Sequence, residues 1–226
     1  CDLGGGRSVA GLGRLVPRRV RFVAEFGAQG VPESAGFAAP ERWPDLDWDE
    51  LQVHHGLQRW VFDERVPADE FATFDEWRHA TQTYQAELVR HHVEVFRRLK
   101  YRPTGGFCVF ALNDAAPVVS WSLVDHARVP KLALQALTDA CRPVVVVADR
   151  PPAIVTPGDR LELDVHVVND LRRAVDPAVV EITASWASGT RRWRFGGACG
   201  PDECVKVGTL ELTVPETLGA LTFDLA

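Results

Sequence analysis

The sequence predicts an α/β unit followed by an all-β unit, and three observations indicate this. Two apolar strand-like runs, 21–27 and 105–112, lie on either side of a long amphipathic segment that begins at Thr73. The order strand, helix, strand, helix is typical of parallel pairing with helical crossovers. Beyond Cys141 the pattern changes to short runs of alternating polarity separated by turn residues, which favours antiparallel strands.

The composition is that of an ordinary globular chain and excludes two classes of partner. The 226 residues are 46% hydrophobic, enough to bury a core, and carry a net charge of −6. We expect no nucleic-acid partner, because phosphate contacts need a concentrated basic surface. We expect no membrane partner either, because the longest apolar runs fall far short of the roughly 20 residues that span a bilayer.

The start of the chain indicates a piece of a larger protein. The sequence begins with Cys1 and contains no methionine, so we expect an N-terminal part of the parent chain to be missing. Residues 1–20 are rich in glycine and arginine and are interpreted as the end of a helix or loop whose body precedes them.

The cysteines predict neither a metal site nor a disulfide framework. They lack CxxC spacing and a nearby histidine pair, so no metal is expected. A bridge between Cys199 and Cys204 across a hairpin is one interpretation, and free thiols in a cytoplasmic protein are the preferred one. The five are Cys1, Cys108, Cys141, Cys199 and Cys204.

The first strand delivers a single carboxylate, Glu25, to its C-terminal end just before Gly27. Catalytic groups of parallel barrels lie at such strand ends, which makes Glu25 the candidate catalytic residue. The alternative is a carboxylate paired with Arg21. Segment 27–49, punctuated by prolines and glycines, is predicted to be a long loop of the kind that often belongs to an active site.

The long helix is predicted to begin at Thr73, because Thr73 and Glu76 fit a capping box. His91 and His92 are expected on its partly exposed flank. Its buried face is predicted from helical spacing to contain Trp77, Ala80, Tyr84, Leu88, Val95 and Leu99.

The second strand, 105–112, is followed directly by Asn113 and Asp114. These polar side chains either bind a substrate or form an ordinary turn. A second helix is predicted over 130–140, with Pro130 in its first turn.

The all-β part is predicted to be an immunoglobulin-like β-sandwich, because six or so short strands fit into about eighty residues. The boundary is placed near 142–150, which divides the chain into domains of residues 1–142 and 143–226. The predicted strands are Val144–Val147, Leu161–Val168, Val179–Trp186, Arg191–Phe195, Val205–Val214 and Leu221–Leu225.

Three segments in order resemble glycoside hydrolase family 2, and within it the β-mannosidase-like members. They are RFVAEFGAQGVPE around Glu25, FDEWRHATQTYQAELVRHHVEVFRRLKYRPTGGF, and LNDAAPVVSWSLVDHARVPKLALQAL. The resemblance covers essentially the whole chain. It implies the C-terminal part of a (β/α)8 TIM barrel, with strands seven and eight, followed by an immunoglobulin-like β-sandwich.

The resemblance also implies a retaining glycosidase that needs no cofactor. Glu25 matches the nucleophile of the family, which attacks the anomeric carbon while a second carboxyl group protonates the leaving oxygen. The family's acid/base glutamate follows an asparagine on the fourth strand, and this sequence contains no Asn-Glu pair. The expected partner is a carbohydrate, a β-mannoside or a related β-glycoside.

The candidate substrate-binding residues are Asn113, Asp114, Phe110 and His55. Where family members read WQLND, this chain has Phe110 and Ala111 before Leu112-Asn113-Asp114, which implies a smaller and less polar site floor. Trp121 is either a sugar-stacking residue or, preferably, core packing.

A second function is weighed beside the enzyme: a structural or carbohydrate-binding module without catalysis. The absent acid/base and the altered floor motivate it. The aromatic residues Trp186, Trp193 and Phe195 of the all-β part are interpreted as core rather than as a sugar-binding strip.

Overall fold

The computed structural model describes residues 21–217 and 219–226. The predicted N-terminal tail of residues 1–20 lies outside the described residues. The described chain groups into two compact units, one of residues 21–96 and 104–141 and the other of residues 97–103 and 142 onward.

The first unit contains two strands, β1 (Phe22–Phe26) and β2 (Gly106–Val109), which pair in parallel as predicted. Its helices are α1 (Trp48–Val53), α2 (Arg59–Arg65), α3 (Phe74–Arg98) and α4 (Leu132–Ala140). The short helices α1 and α2, and three single 3-10 turns, interrupt the segment between β1 and α3.

The capping box that begins α3 is confirmed. Thr73 Oγ1 accepts a hydrogen bond from Glu76 N at 3.2 Å, and Glu76 Oε2 accepts from Thr73 N at 3.1 Å. Acidic residues occupy the first turn and Arg97 and Arg98 the last, which complements the helix dipole.

Two details predicted for the helices of this unit are wrong. His92 is buried rather than on an exposed flank, because it packs between Phe26 and Phe96 behind β1. Helix α4 begins after Lys131, so Pro130 precedes it instead of occupying its first turn.

The face that α3 buries is more polar than its apolar spacing predicts. Trp77 and Leu88 are buried as expected, while Ala80, Tyr84 and Val95 are half-buried. The helix also buries Thr81, Gln82 and Gln85, each of which bonds to backbone groups of the loops after β1 and β2. The loops form no regular ladder, so these side chains provide the hydrogen bonds that their buried backbone N–H and C=O groups need.

From residue 142 onward, the described residues of the second unit form β-strands and loops, and they contain every strand predicted for them. Two antiparallel sheets have the orders β3-β4-β7 and β6-β5-β8. The strands are β3 (Val144–Ala148), β4 (Arg160–Asn169), β5 (Val175–Trp186), β6 (Gly189–Cys199), β7 (Glu203–Thr213) and β8 (Thr222–Leu225).

The alternation along β4 predicts its burial correctly: Leu161, Leu163, Val165 and Val167 face the core and the residues between them do not. The aromatic residues Trp186, Trp193 and Phe195 pack against this core, which confirms their interpretation as core residues. The four described cysteines are free thiols, as preferred from the sequence.

Candidate active site

Glu25 lies at an irregularity in β1 that turns its side chain outward. Val23 pairs with Phe107 and Phe26 with Val109, so β1 has three steps where β2 has two, and one residue is extra. Val23 and Phe26 are both buried, whereas Ala24 and Glu25 between them are both exposed. Such bulges re-aim side chains and are common next to active sites.

The carboxylate of Glu25 is not paired with any side chain of the described residues. Among residues 21–217 and 219–226 it has no hydrogen-bond or ion-pair partner, and Arg21 makes no ion pair with it. An unpaired, exposed carboxylate at the end of a parallel strand is chemically suited to act as a nucleophile or a base.

Phe110 lies beside the residue that follows Glu25. Its backbone N–H donates to Phe26 O at 2.9 Å, and the residue as a whole is 42% exposed. The ring centroid of Trp121 is 6.0 Å from that of Phe110. The structure therefore places Phe110 and Trp121 next to Phe26 and Gly27, the two residues that follow Glu25, at the C-terminal end of the β1–β2 pair.

Gly27 makes this close approach possible. A Cβ atom at this position would lie 2.7 Å from the carbonyl oxygen of Phe110 and 3.5 Å from Trp121 Cβ. Real Cβ atoms are essentially never found that close to a backbone oxygen, so a side chain here would push the loop after β2 away from Glu25.

Asn113 and Asp114 follow β2 but have different environments. Asn113 is exposed and donates from Nδ2 to Asp114 O at 3.2 Å. The Asp114 carboxylate is buried, where it accepts hydrogen bonds from the hydroxyls of Ser120 at 2.6 Å and Ser122 at 2.5 Å. The hydrogen bonds of the Asp114 carboxylate thus stabilise the loop that follows β2.

His55 is joined to the loop after β2 at positions well beyond Phe110. Its Nδ1 lies 2.6 Å from Pro117 O, and its carbonyl oxygen accepts from Val119 N at 2.8 Å. Its ring stacks on Phe37 with 4.3 Å between centroids. The structure connects His55 to the candidate site through this loop rather than by contact with Glu25.

Sequence reasoning missed a buried polar layer beneath the site. Lys131 is 2% exposed and donates to Gly30 O at 3.0 Å and Ser120 O at 3.2 Å. Burial lowers the pKa of Lys131 to about 8, although the carboxylates of Asp114 and Asp125 act in the opposite direction. The sequence shows only that Lys131 directly precedes an apolar helix. This position does not distinguish a buried lysine from an exposed one.

Asp125 belongs to the same layer. Burial acts to raise the pKa of its carboxyl group, but hydrogen bonds from the backbone N–H groups of Ser34, Val129 and Ala127 outweigh burial and hold this pKa below its usual range. The carboxylate is thereby fixed in its charged form and ties the loop after β1 to the turn before α4.

The described residues contain neither a cluster of three side chains that would ligate a metal nor a helix long and apolar enough to cross a membrane.

Known relatives are β-mannosidases. The chain is 28% identical over 156 residues to β-mannosidase A of Aspergillus niger, which covers 68% of this chain and 15% of that protein. It is 29% identical over 141 residues to β-mannosidase B of Thermothelomyces thermophilus, covering 56% of this chain and 16% of that protein. The chain thus spans about a sixth of the length of these relatives. It matches no known family profile.

Solved structures with a similar fold are also glycosidases. The crystal structure of a β-D-mannosidase from Dictyoglomus thermophilum has a TM-score of 0.65 at 19% identity, over 91% of this chain and 25% of that one. An exo-chitosanase from Amycolatopsis orientalis has a TM-score of 0.54 at 18% identity, over 73% of this chain and 19% of that one. The predicted resemblance to the C-terminal portion of β-mannosidase-like family 2 glycoside hydrolases is confirmed.

Proposed function

We propose that this chain is the nucleophile-bearing portion of a β-mannosidase-like retaining glycoside hydrolase, with Glu25 as the nucleophile. The observation that carries the proposal is the exposed Glu25 carboxylate on the bulge of β1, which has no partner among the described residues and directly precedes the Phe26–Gly27 step that Phe110 and Trp121 approach. The β-mannosidase relatives supply the substrate class, a β-mannoside or a related β-glycoside.

In the proposed reaction the Glu25 carboxylate attacks the anomeric carbon and forms a covalent glycosyl ester. A second carboxyl group protonates the departing glycosidic oxygen, and the same group then takes a proton from the water that hydrolyses the ester. The sugar leaves with its original anomeric configuration. The acid/base is assigned to the part of the parent chain outside this sequence, because no Asn-Glu pair occurs here.

We also propose a specific fold for each of the two units. The parallel β1–β2 pair with α3 between its strands is the arrangement expected of strands seven and eight of a (β/α)8 barrel. The two three-stranded antiparallel sheets are those expected of an immunoglobulin-like β-sandwich, with the domain boundary near 142–150.

Phe110 is proposed to contribute an apolar surface for the sugar ring, and Asn113 an exposed side-chain amide for its hydroxyl groups. The burial of Asp114 favours a supporting role for that residue over direct sugar contact. The alternative function, a carbohydrate-binding module that uses Trp186 and Trp193, is disfavoured because both residues pack against the core of the second unit.

The test is chemical rescue in the full-length protein with 2,4-dinitrophenyl β-mannoside, whose leaving group departs without protonation. We expect Glu25→Ala to lower kcat by at least about 10³-fold, the scale seen when a nucleophile is removed. Azide should restore turnover and give the α-mannosyl azide, because the small anion attacks from the face that the carboxylate vacated.

Glu41→Ala is the matched control, since Glu41 is an exposed glutamate of the same unit. It should leave kcat unchanged. Full activity of Glu25→Ala, or a β-configured azide product, would refute the assignment.

A further inference from the structure

Three side chains from three places in the first unit hold the segment 120–122. Lys131, just before α4, donates to Ser120 O, and Gln85 on α3 donates from Nε2 to Trp121 O at 3.2 Å and Ser122 O at 3.0 Å. The carboxylate of Asp114 accepts the hydroxyls of both serines. The backbone on both sides of Trp121 is therefore held in place, and the half-buried indole ring lies near the ring of Phe110.

Lys131 differs from the other two because it joins this segment to the loop after β1. Its ammonium group donates to Gly30 O as well as to Ser120 O, and Gly30 N donates to Ser120 O at 3.1 Å. Gly30 itself is closely approached, since a Cβ there would lie 2.5 Å from Gln85 Oε1. One buried cation thus holds carbonyl groups from the loops that follow both strands.

The burial of this cation is energetically unfavourable. Lys131 makes no ion pair with any carboxylate of the described residues, and its lowered pKa expresses the cost of keeping the charge out of water. Fully buried lysines are rare, and groups with such perturbed ionisation concentrate at functional sites. A structural hydrogen bond alone would be met by a neutral side chain at lower cost.

The joined loops converge on the residues around Glu25. Trp121 lies against Gly27, two residues after Glu25, and against Phe110, whose N–H bonds to Phe26 O. A shift of segment 120–122 relative to the loop after β1 would therefore move Trp121 and Phe110 with respect to the carboxylate.

We propose that Lys131 is a positioning residue for Glu25: by holding Gly30 O and Ser120 O together, it sets the distance between the nucleophile and the aromatic wall formed by Phe110 and Trp121. This inference rests on the proposed function of Glu25. Lys131 does not touch the substrate and acts through the two loops.

The experiment measures covalent labelling of Glu25 in the full-length protein by 2-deoxy-2-fluoro-β-mannosyl fluoride, followed by peptide mass spectrometry. The 2-fluoro sugar forms the glycosyl ester and releases fluoride, and the ester is hydrolysed slowly. We expect Lys131→Met to lower the labelling rate at saturating reagent by about 10- to 100-fold, the effect of displacing reacting groups by about an ångström. The half-saturating concentration should change by less than about twofold.

Gln85→Met is the second variant, which keeps the test decisive if Lys131→Met does not fold. It removes two hydrogen bonds to the same segment without removing a charge, and it should lower the labelling rate in the same direction. Circular dichroism at the labelling temperature confirms that each variant tested is folded.

Lys100→Met is the matched control. Lys100 is a lysine of low exposure in the second unit that donates to Asn169 O, and its loss should reduce stability without changing the labelling rate. A folded Lys131→Met or Gln85→Met protein that labels at the wild-type rate would overturn the positioning role while leaving Glu25 as nucleophile. Absence of label on Glu25 in the wild type would overturn both.

Discussion

At the scale of single residues, the sequence predicted the candidate nucleophile, Glu25, but not the buried side chains that hold the loops near it. Glu25 was predicted from its place at the end of an apolar strand, and the structure finds it exposed there, with no ion-pair partner in the described part of the chain. The buried partners of the loops, Lys131 and Gln85, were not predicted. Their roles depend on which backbone carbonyl groups come near them after folding, and a side chain's identity does not encode that.

Gly27 gives a test of the close approach beside Glu25. Gly27→Ala would place a methyl group 2.7 Å from Phe110 O, a backbone atom that moves only with its loop. We expect a loss of stability of about 1–3 kcal/mol in thermal unfolding and slower labelling of Glu25. Gly36→Ala is the control, because nothing lies within 4 Å of the added methyl group; if both variants behave alike, the close approach is unimportant.

The buried His92 should make the stability of the fold sensitive to acid. Burial, and then the neighbouring His91, lower the pKa of His92 to about 4 in the folded protein, so the unfolded chain takes up the proton first as pH falls. Stability should therefore decrease as the pH falls through 6.5 towards 4, by about 2 kcal/mol between pH 7 and pH 5 from this residue.

Denaturant unfolding of His92→Leu across this pH range measures the effect. The variant should lose less stability with falling pH than the wild type does. His79→Leu, at an exposed position of the same helix, should keep the wild-type slope. Equal slopes for His92→Leu and the wild type would show that the ring is not what makes the fold acid-sensitive.

At the scale of elements, prediction succeeded where periodicity and local chemistry agree. The alternation along β4 and the capping box of α3 were both read correctly from a few residues. The second strand is shorter than predicted, ending at Val109 instead of Leu112, because the carbonyl groups of Ala111 and Leu112 accept hydrogen bonds from the later loop, at Leu123 and Val124, instead of pairing with β1. Where a strand ends depends on whether its backbone groups bond to the neighbouring strand or to a loop, and those partners are distant in sequence.

The N-terminus of α3 provides an element-scale prediction. Thr73→Ala removes the acceptor for Glu76 N and should cost about 1 kcal/mol in urea unfolding. Thr83→Ala is the control, because the Thr83 hydroxyl bonds back to His79 O within the helix, an interaction that contributes little to helix stability. A loss at Thr83 as large as that at Thr73 would argue against the cap as the source.

At the scale of the whole molecule, each unit has its own apolar core, formed by different means. The first packs three tryptophans, Trp43, Trp48 and Trp77, against one another with centroids 5.4–6.3 Å apart. The core of the second is formed mainly by small aliphatic side chains of β4, β5 and β7. Composition and spacing predicted the class of each unit, whereas the order of the strands within each sheet emerged only from the structure.

The core of the second unit can be tested at the centre of β5. Ile182 is 1% exposed, and Ile182→Ala should destabilise this unit by about 2–5 kcal/mol. Hydrogen exchange at the amides of β5 measures the loss. Glu181→Ala, at the exposed neighbouring position, should stay within about 0.5 kcal/mol; comparable protection in both variants would mean that Ile182 is not central to this core.

The extra residue in β1 decides which face of the strand the Glu25 side chain occupies. In a regular strand the second residue after buried Val23 returns to the same face, so Glu25 would point inward and Phe26 outward. A strand one residue shorter between Val23 and Glu25 would again point the glutamate outward, with no bulge needed. The direction of Glu25 therefore depends on whether the number of regular strand steps from Val23 is odd or even. A redesign that keeps every side chain but removes the bulge would turn the carboxylate towards the buried face.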